Sequence, residues 1–435
     1  MNRRTNFRVR LGRMAFLILG VVVVAGGVSP SFAESDGPPS VSLEEALRLA
    51  FDRSPVLQAR EAELRQVQAD LVSARIYPFN PELEVSAGDR QSPDASSTDP
   101  EILLTQEIQI GGQRRKAISV GESAVAAAES LLRREQRRLA SEVEVAFAEA
   151  LAWRELMEIA QVDADLTRDL LDFARRRLEA GAGTQVGLNL ARAIAGRSET
   201  ALQQSVSANK AAGHRLGEVL GLPPESRVEP LGDLTLRARD LPPLSELVRH
   251  ALENRADLVA SRHEIDAADS SIRLAKSLAI PNLRVGLFYA EEEGTDRIKG
   301  LGVQLPIPLF NRNQGEIARA HATSERQMAE TSAAELAARR EVADAYAAYL
   351  AAKESANALT DLVVGTLEEN LSFLQRALEA GKINAAEVLV FRREFVGSQR
   401  EYIEVLFEAW VASINLDLAT GSTRLPLPAD EETPP

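Results

Sequence analysis

The chain has 435 residues, no cysteine and a formal net charge of −14 at pH 7. The missing cysteines exclude a disulfide framework, a thiol nucleophile, a soft thiolate metal site and a lipid attached to an N-terminal cysteine. The acidic composition also argues against nucleic acid as a partner, because nucleic-acid binding needs clustered positive charge.

The first residues have the three parts of a secretory signal peptide. Arginines between positions 3 and 13 precede an almost uncharged apolar run at 14–28, and the small-residue pattern SFA ends at Ala33. The apolar run of about 15 residues is shorter than the roughly 20 that a spanning helix needs. We predict cleavage after Ala33, with a retained N-terminal anchor as the alternative. Later stretches are not apolar enough for a membrane helix, so a mature chain that enters a membrane would do so as β-strands.

The remaining sequence repeats itself at an offset near 200 residues. LEEALR at 43–48 is answered by LSELVR at 244–249, PELEV at 81–85 by PNLRV at 281–285, and LEAG at 178–181 by LEAG at 378–381. An arginine follows each of the last two motifs at the same distance, at Arg192 and Arg392. Four matches in one order predict a protein of two similar halves.

Each half is predicted to contain a helix, a β-hairpin, a very long helix and a return helix. The predicted segments are a signal peptide at 1–33, a first repeat at 34–222, a proline-rich connector at 223–243, a second repeat at 244–421 and a disordered tail at 422–435. The first repeat has its hairpin at 81–110, its long helix at 113–180 and its return helix at 184–221. The second has a hairpin at 281–310, a long helix at 314–380 and a return helix at 384–420.

The long helices carry the spacing of coiled coils. Residues 113–179 contain no proline, which allows a helix about 100 Å long at 1.5 Å per residue. Small and apolar residues recur at alternating steps of three and four, as in Ala146, Ala150, Trp153, Met157 and Ala160, and again in Val342, Ala345, Tyr349, Ala352 and Ala356. The fold class is therefore mainly α with a small β part, built from long antiparallel coiled-coil helices; a soluble helix bundle is the alternative.

The predicted strands alternate apolar and polar residues. Leu83 and Val85 alternate with glutamates, a polar loop covers 89–100, and Ile102 and Leu104 follow in the next strand. The second half repeats the pattern at 283–289 and at 298–310. Four strands cannot close on themselves and open edges are not tolerated in lipid, so a membrane sheet would be shared between chains. Two copies would supply eight strands and three would supply twelve. A soluble four-stranded sheet packed on helices would alternate in the same way.

These features together resemble the TolC-like outer-membrane efflux proteins over essentially the whole mature chain. The similarity rests on the paired openings of the halves, the paired proline-led strands, and Gly181 and Gly381 with the residues that follow them. QEIQIGGQRR at 106–115 and PIPLFNRNQGEI at 306–317 are most similar to the heavy-metal branch, the cobalt-zinc-cadmium type.

The resemblance implies a homotrimer in the outer membrane with a large periplasmic part. Its strands would complete a twelve-stranded barrel and its helices an α-barrel tunnel. The implied partners are outer-membrane lipid, a periplasmic adaptor (a membrane fusion protein) and an inner-membrane pump of the resistance-nodulation-division type. Such a protein is no enzyme and serves as a passive exit duct, here for heavy-metal cations. Multidrug efflux and type I protein secretion are alternatives within this class, and a periplasmic coiled-coil scaffold is an alternative outside it.

The resemblance also assigns roles to residues at the helix tips. Gly181 and Gly381 fall at the tips that meet the adaptor, with Leu178, Val186, Leu188 and Leu378 as contact residues; the alternative is that these side chains only pack the tip. Glu387 occupies the place of an acid that lines the entrance. The family can carry further acids where this chain has Val390 and Gly187, which weakens the expected charge of the entrance, and a solvated surface glutamate is the alternative.

Other chemistry has little support in the sequence. Gly111 and Gly112 lack the spacing of a phosphate-binding loop and fit a strand-to-helix turn. The histidines at 214, 250, 263 and 321 have no metal-ligand spacing. We therefore expect no catalytic residues, no cofactor and no metal site in the chain.

Overall fold

The computed structural model describes residues 39–91, 96–236, 239–293, 296–360 and 385–422, together with Phe373 and Arg376. The side chains of 385–389 lie outside this description. The predicted signal peptide, the tail from 423 and the second tip with Leu378 and Gly381 therefore fall outside the described residues.

The first half opens with two helices, α1 (Leu43–Arg53) and α2 (Pro55–Arg75), where one was expected. Ser42 caps α1 by accepting a hydrogen bond from the Glu45 amide at 3.2 Å. Pro55 has no amide hydrogen to continue α1, but it suits the first position of a new helix. Ser54 then caps α2 through the Leu57 amide at 3.3 Å.

The long helix α3 (Gln113–Glu179) has 67 residues and returns through α4 (Gln185–Val219). Alanines at 146, 150, 160 and 164 are buried along α3, and Ala191, Ala195 and Ala212 are buried along α4. Because an alanine side chain is a single methyl group, these two helices approach closely over several turns. The pair ends in the tip described below.

The described residues of the connector between the halves, 223–236 and 239–243, which we call the strap, are hydrogen-bonded to other parts of the chain. Strand β4 (Glu229–Pro230) pairs in parallel with β1 (Ser40–Val41) near the start of the described chain. Arg154 of α3 donates to the carbonyl of Pro230 at 2.9 Å, and the Trp410 indole donates to the carbonyl of Thr235 at 2.5 Å. The strap is thus hydrogen-bonded to helices from both halves.

The second half repeats the order with α5 (Leu244–Asn254), α6 (Ala256–Leu278), α7 (Gln314–Leu359) and α8 (Ala385–Thr420). Its opening helix is also divided in two, at Arg255. The guanidinium of Arg255 donates to both carboxylate oxygens of Asp257, at 3.1 and 2.8 Å, and to Glu341 of α7 at 2.7 Å. This junction fastens α6 to α7.

Four antiparallel strands form one sheet in the order β2-β3-β5-β6. They are β2 (Glu82–Gln91), β3 (Ser96–Ile108), β5 (Leu283–Glu292) and β6 (Asp296–Gln304). The two hairpins meet where β3 pairs with β5, with Leu104 opposite Leu287.

Two predicted strand boundaries were wrong. The polar loop predicted at 89–100 is largely strand, since Asp89 pairs with Thr98 and Gln91 with Ser96. The last strand was expected to reach Phe310 but ends at Gln304. Pro306 and Pro308 follow within four residues, and a proline cannot donate the hydrogen bond that extends a ladder.

The main core lies in the middle of the helices. Val143, Phe147 and Leu151 of α3 pack with residues of α1, α4 and α8, and the side chains of Leu216, Leu406 and Trp410 are buried there. Burying these side chains holds α3 at its mid-length, so that the sheet follows from one end of α3 and the α3/α4 tip from the other.

Candidate functional site: the helix tip and the exposed sheet

The turn that ends α3 depends on the left-handed conformation of Gly181. Its φ angle is +68°, a region that residues with a β-carbon rarely adopt. The Gly181 amide donates to the Leu178 carbonyl at 3.0 Å, and the Ala182 amide donates to the Arg177 carbonyl at 2.9 Å. This pair of bonds is a Schellman motif, which satisfies the carbonyl groups at a helix end.

A second glycine and a threonine complete the reversal. A β-carbon at Gly183 would lie 2.8 Å from the Leu178 nitrogen, so only glycine fits there. Thr184 begins α4 by accepting a hydrogen bond from the Gly187 amide at 3.0 Å. The sequence interpretation named Gly181 but missed Gly183 and Thr184, although a threonine next to a glycine pair is a readable helix-start signal.

The predicted contact residues of this tip have different surroundings. Leu188 is buried with 8% of its surface exposed, Leu178 is half-buried, and Val186 is 77% exposed. Leu188 thus packs the tip, and among these three Val186 offers an apolar side chain to solvent. Glu387 lies in the first turn of α8, and its side chain is outside the described residues.

Above the turn, α3 and α4 border an open, largely apolar cavity of about 340 Å³. Leu170 and Phe173 line it from α3, and Ala191 and Ile194 line it from α4. The Arg177 guanidinium stands 5.8 Å from the centre of the Phe173 ring and donates to the Ala182 carbonyl at 3.1 Å. The cavity is the part of the groove between the two helices that lies nearest the tip.

Further up the same groove, Arg392 of α8 forms a buried ion pair with Asp163 of α3. Its Nε donates to Asp163 Oδ1 at 2.6 Å, and its Nη2 donates to Asp163 Oδ2 and to Ser198 Oγ of α4. The sequence interpretation noted Arg392 only as a repeat marker. Asp163 gave no signal, because it lies 229 positions from Arg392 along the chain.

At the opposite end of the molecule, one face of the sheet is apolar and exposed. Leu83, Leu104, Leu287 and Leu301 occupy successive pairs across all four strands. They are 66%, 42%, 54% and 79% exposed. Exposing a row of leucines four strands wide to water is unfavourable, and such apolar surfaces usually contact another protein or a membrane. Within the described chain, β2 and β6 each pair on one side only.

The sequence of the chain matches the model of a known protein family. The family model for outer membrane efflux proteins matches the chain twice, at residues 46–221 and 247–422. The chain belongs to the outer membrane efflux proteins. This efflux protein is located at the outer membrane, with a helical part in the periplasm.

Similar proteins support this assignment and the resemblance to the heavy-metal branch. The cobalt-zinc-cadmium resistance protein CzcC of Cupriavidus metallidurans is 27% identical over 94% of this chain and 100% of its own length. The pyoverdine export outer membrane protein OpmQ of Pseudomonas putida is 23% identical over 71% of this chain and 72% of its own.

The fold is also that of a solved outer membrane protein, VceC from Vibrio cholerae. The two structures superpose with a TM-score of 0.68, which covers 87% of this efflux protein and 96% of VceC, at 21% sequence identity. In the described ranges, helices long and apolar enough to cross a membrane are absent. The described side chains also contain no group of three or more His, Asp or Glu that could hold a metal ion.

Proposed function

We propose that the efflux protein is the exit duct of a tripartite system that removes heavy-metal cations from the cell. The observation that carries the substrate class is similarity to a cobalt-zinc-cadmium resistance protein over that protein's full length. Metal ions would be selected elsewhere, by an inner-membrane pump of the resistance-nodulation-division type. The duct itself catalyses nothing and binds no cofactor.

The proposed assembly is a homotrimer. The β2 and β6 edges are each free on one side in the described chain, and the leucine row presents an apolar surface beside them. Three copies joined edge to edge would complete a twelve-stranded barrel and place that surface against lipid. The two sequence repeats would then each contribute one hairpin to the membrane and one helical pair to the periplasm.

The proposed docking region for the periplasmic adaptor is the set of helix tips. Val186 supports this because it is an exposed apolar side chain beside a rigid turn, which is the composition expected of a contact point. Leu178, Gly181 and Leu188 hold the shape of the first tip. Leu378 and Gly381 have the equivalent positions in the sequence of the second.

The test of the assembly is fractionation of cells that express the tagged protein, followed by cross-linking and unboiled gel mobility of the outer-membrane extract. A trimer in the outer-membrane fraction supports the shared barrel. A periplasmic monomer would contradict it and favour the scaffold alternative.

The test of the substrate is growth of a deletion strain on cobalt, zinc and cadmium salts, with and without the gene restored. We expect sensitivity to at least one metal, reversed by the native gene. The second candidate substrate is a secreted siderophore, which the similarity to a pyoverdine export protein favours. Unchanged metal tolerance with loss of siderophore export would replace the first candidate by the second.

The proposed entrance residue is Glu387. Three copies of one glutamate around an axis would attract cations and repel anions. Glu387→Lys should therefore reduce the cation preference of channels in a planar bilayer. The control is Glu394→Lys, since Glu394 is an exposed glutamate two turns further along α8. Equal selectivity in the Glu387 variant and the native channel would remove this assignment.

A further inference from the structure

The start of α8 is joined to the first half by one compact group of polar atoms, which we call the Arg392 clamp. It consists of Arg392, Asp163 and Ser198. The Nε–Oδ1 distance is 2.6 Å and the Nη2–Ser198 Oγ distance is 2.6 Å, with a further bond from Nη2 to Asp163 Oδ2. The side chains of Arg392 and Asp163 are only 13% and 8% exposed. The clamp therefore sits inside the α3/α4 groove.

The sequence repeat shows that this clamp is one-sided. Arg192 stands 200 positions before Arg392, on α4, and its side chain is exposed. The position 200 residues after Asp163 is Val363, which has no acceptor for a guanidinium. The residue at the repeat-equivalent place therefore offers Arg192 no carboxylate. Both halves have the arginine, but only the first half has a carboxylate, Asp163, at the position that is Val363 in the second half.

The clamp lies nearer to the start of α8 than the α8 side chains of the main core do. The next α8 side chains in the main core are Ile403, Leu406 and Trp410, all further from the tip than Arg392. Glu387 lies five residues before Arg392, which is about 7.5 Å along a helix axis. The clamp is thus a polar contact between the tip-side end of α8 and the α3/α4 pair, one turn before the buried Phe395.

We infer that Arg392 is a positioning residue: its fork on Asp163 fixes the tip-side end of α8 against α3 and α4. A bidentate guanidinium–carboxylate pair is directional, and shifting or rotating α8 would break two bonds at once. Separating the pair would leave a buried charge without its partner, which is strongly unfavourable. The anchoring holds whatever the chain transports. Its consequence for the entrance rests on the proposed function.

Hydrogen exchange of the full-length protein, purified in detergent, tests the anchoring directly. In Arg392→Gln we expect the amides of 385–400 to exchange about tenfold faster or more, because the local opening of α8 loses its buried restraint. Amides of 205–219 in α4, which lie beyond Ser198 on the side away from the tip, and amides of 185–192 should keep their native rates. The matched control is Arg192→Gln, the same change at the repeat-equivalent, exposed position, which should leave all these segments unchanged.

Arg392→Lys is a second variant for the same hydrogen-exchange measurement, for use if cells do not accumulate enough Arg392→Gln protein to purify. Lysine keeps the charge but cannot make the planar fork, so exchange at 385–400 should again rise. The double variant Asp163→Arg with Arg392→Asp swaps the two charges, and it should recover part of the protection of the 385–400 amides from hydrogen exchange. Native exchange rates in either Arg392 variant would overturn the inference, as would an equal effect of Arg192→Gln.

Channel recordings separate the clamp from the proposed function. If the protein is a duct, Arg392→Gln should broaden the distribution of single-channel conductances, and Arg192→Gln should not. Faster exchange with no channel activity in any variant, native included, would uphold the clamp and contradict the duct. If Arg392→Gln exchanges its amides at the native rates and forms normal channels, the clamp would be contradicted and the duct upheld.

Discussion

Gly183 approaches Leu178 so closely that a β-carbon at position 183 would lie 2.8 Å from the Leu178 backbone nitrogen and 3.0 Å from the Arg177 carbonyl carbon. Backbone atoms cannot move aside as a flexible side chain can. We expect Gly183→Ala to open the α3/α4 turn and to unwind the end of α3, so that trypsin can cleave the backbone after the already exposed arginines at 175–177. The measurement is the rate of tryptic cleavage at these arginines in the detergent-purified protein.

Gly196→Ala is the control for this change. Gly196 lies inside α4, and a β-carbon there would meet nothing within 4 Å. Alanine is more favourable than glycine inside a helix by about 0.8–1 kcal/mol, so this variant should be cleaved no faster than the native protein. Equal cleavage of both variants would contradict the close approach at position 183.

Gly181 is expected to tolerate asparagine and to reject valine. Its φ of +68° costs most residues about 1–2 kcal/mol, more for a β-branched side chain and less for asparagine. Gly181→Val should therefore abolish efflux while the amount of protein in the outer membrane stays the same. Gly181→Asn should retain efflux. Both are measured by resistance assays beside immunoblots of the membrane fraction, and normal resistance in the valine variant would remove the proposed role of this tip.

Leu104→Lys should lower the amount of protein in the outer membrane. Leu104 is 42% exposed on the apolar face, paired with Leu83 and Leu287. A lysine facing lipid costs about 2–4 kcal/mol near the membrane midplane. Thr105→Lys, one residue on and therefore on the other face of the same strand, is the control. Equal membrane levels of the two variants would contradict a lipid-facing leucine row.

The stability of the connector should depend on pH through Glu155. Burial raises the pKa of Glu155 above its ordinary value, although its Oε1 accepts a hydrogen bond from the Leu234 amide at 2.9 Å. An acid with a raised pKa binds its proton more tightly in the folded state. The free energy of unfolding therefore falls as pH rises from the ordinary glutamate pKa through the raised one.

Glu155→Gln should remove this dependence, because glutamine keeps the acceptor oxygen and cannot ionise. We expect the thermal midpoint of the variant to change less between pH 4.5 and pH 7 than that of the native protein, and to be at least as high at pH 7. Circular dichroism in detergent at several pH values measures it. A pH profile parallel to that of the native protein would show that Glu155 does not titrate in this range.

Local patterns predicted much of the fold. Residues 113–179 contain no proline, and α3 runs from Gln113 to Glu179. The alternation of Leu83 and Val85 indicated a strand, and β2 has these residues on one face. The end of β6 at Gln304 could have been predicted from Pro306 and Pro308, but the sequence interpretation extended the strand to Phe310.

Contacts between distant segments could not be predicted in the same way. The pairing of β4 with β1 and the bond from Trp410 to Thr235 depend on how the halves pack, and no local periodicity encodes that. The Arg392–Asp163 pair is the sharpest case. Each residue alone resembles a solvated helical charge, and only the three-dimensional arrangement shows that the two meet inside a groove.

The pairing of β1 with β4 has a consequence for how the protein is made. The ladder joins Ser40 to Glu229, and the Leu231 amide donates to the Val41 carbonyl at 2.8 Å. A chain that crosses the inner membrane amino terminus first leaves β1 unpaired until residue 231 has emerged. By then the first repeat is complete and the second has not begun. The β1–β4 ladder can therefore form before the second repeat has emerged, whereas the main core is complete only when Leu406 and Trp410 of α8 have arrived to pack against α3.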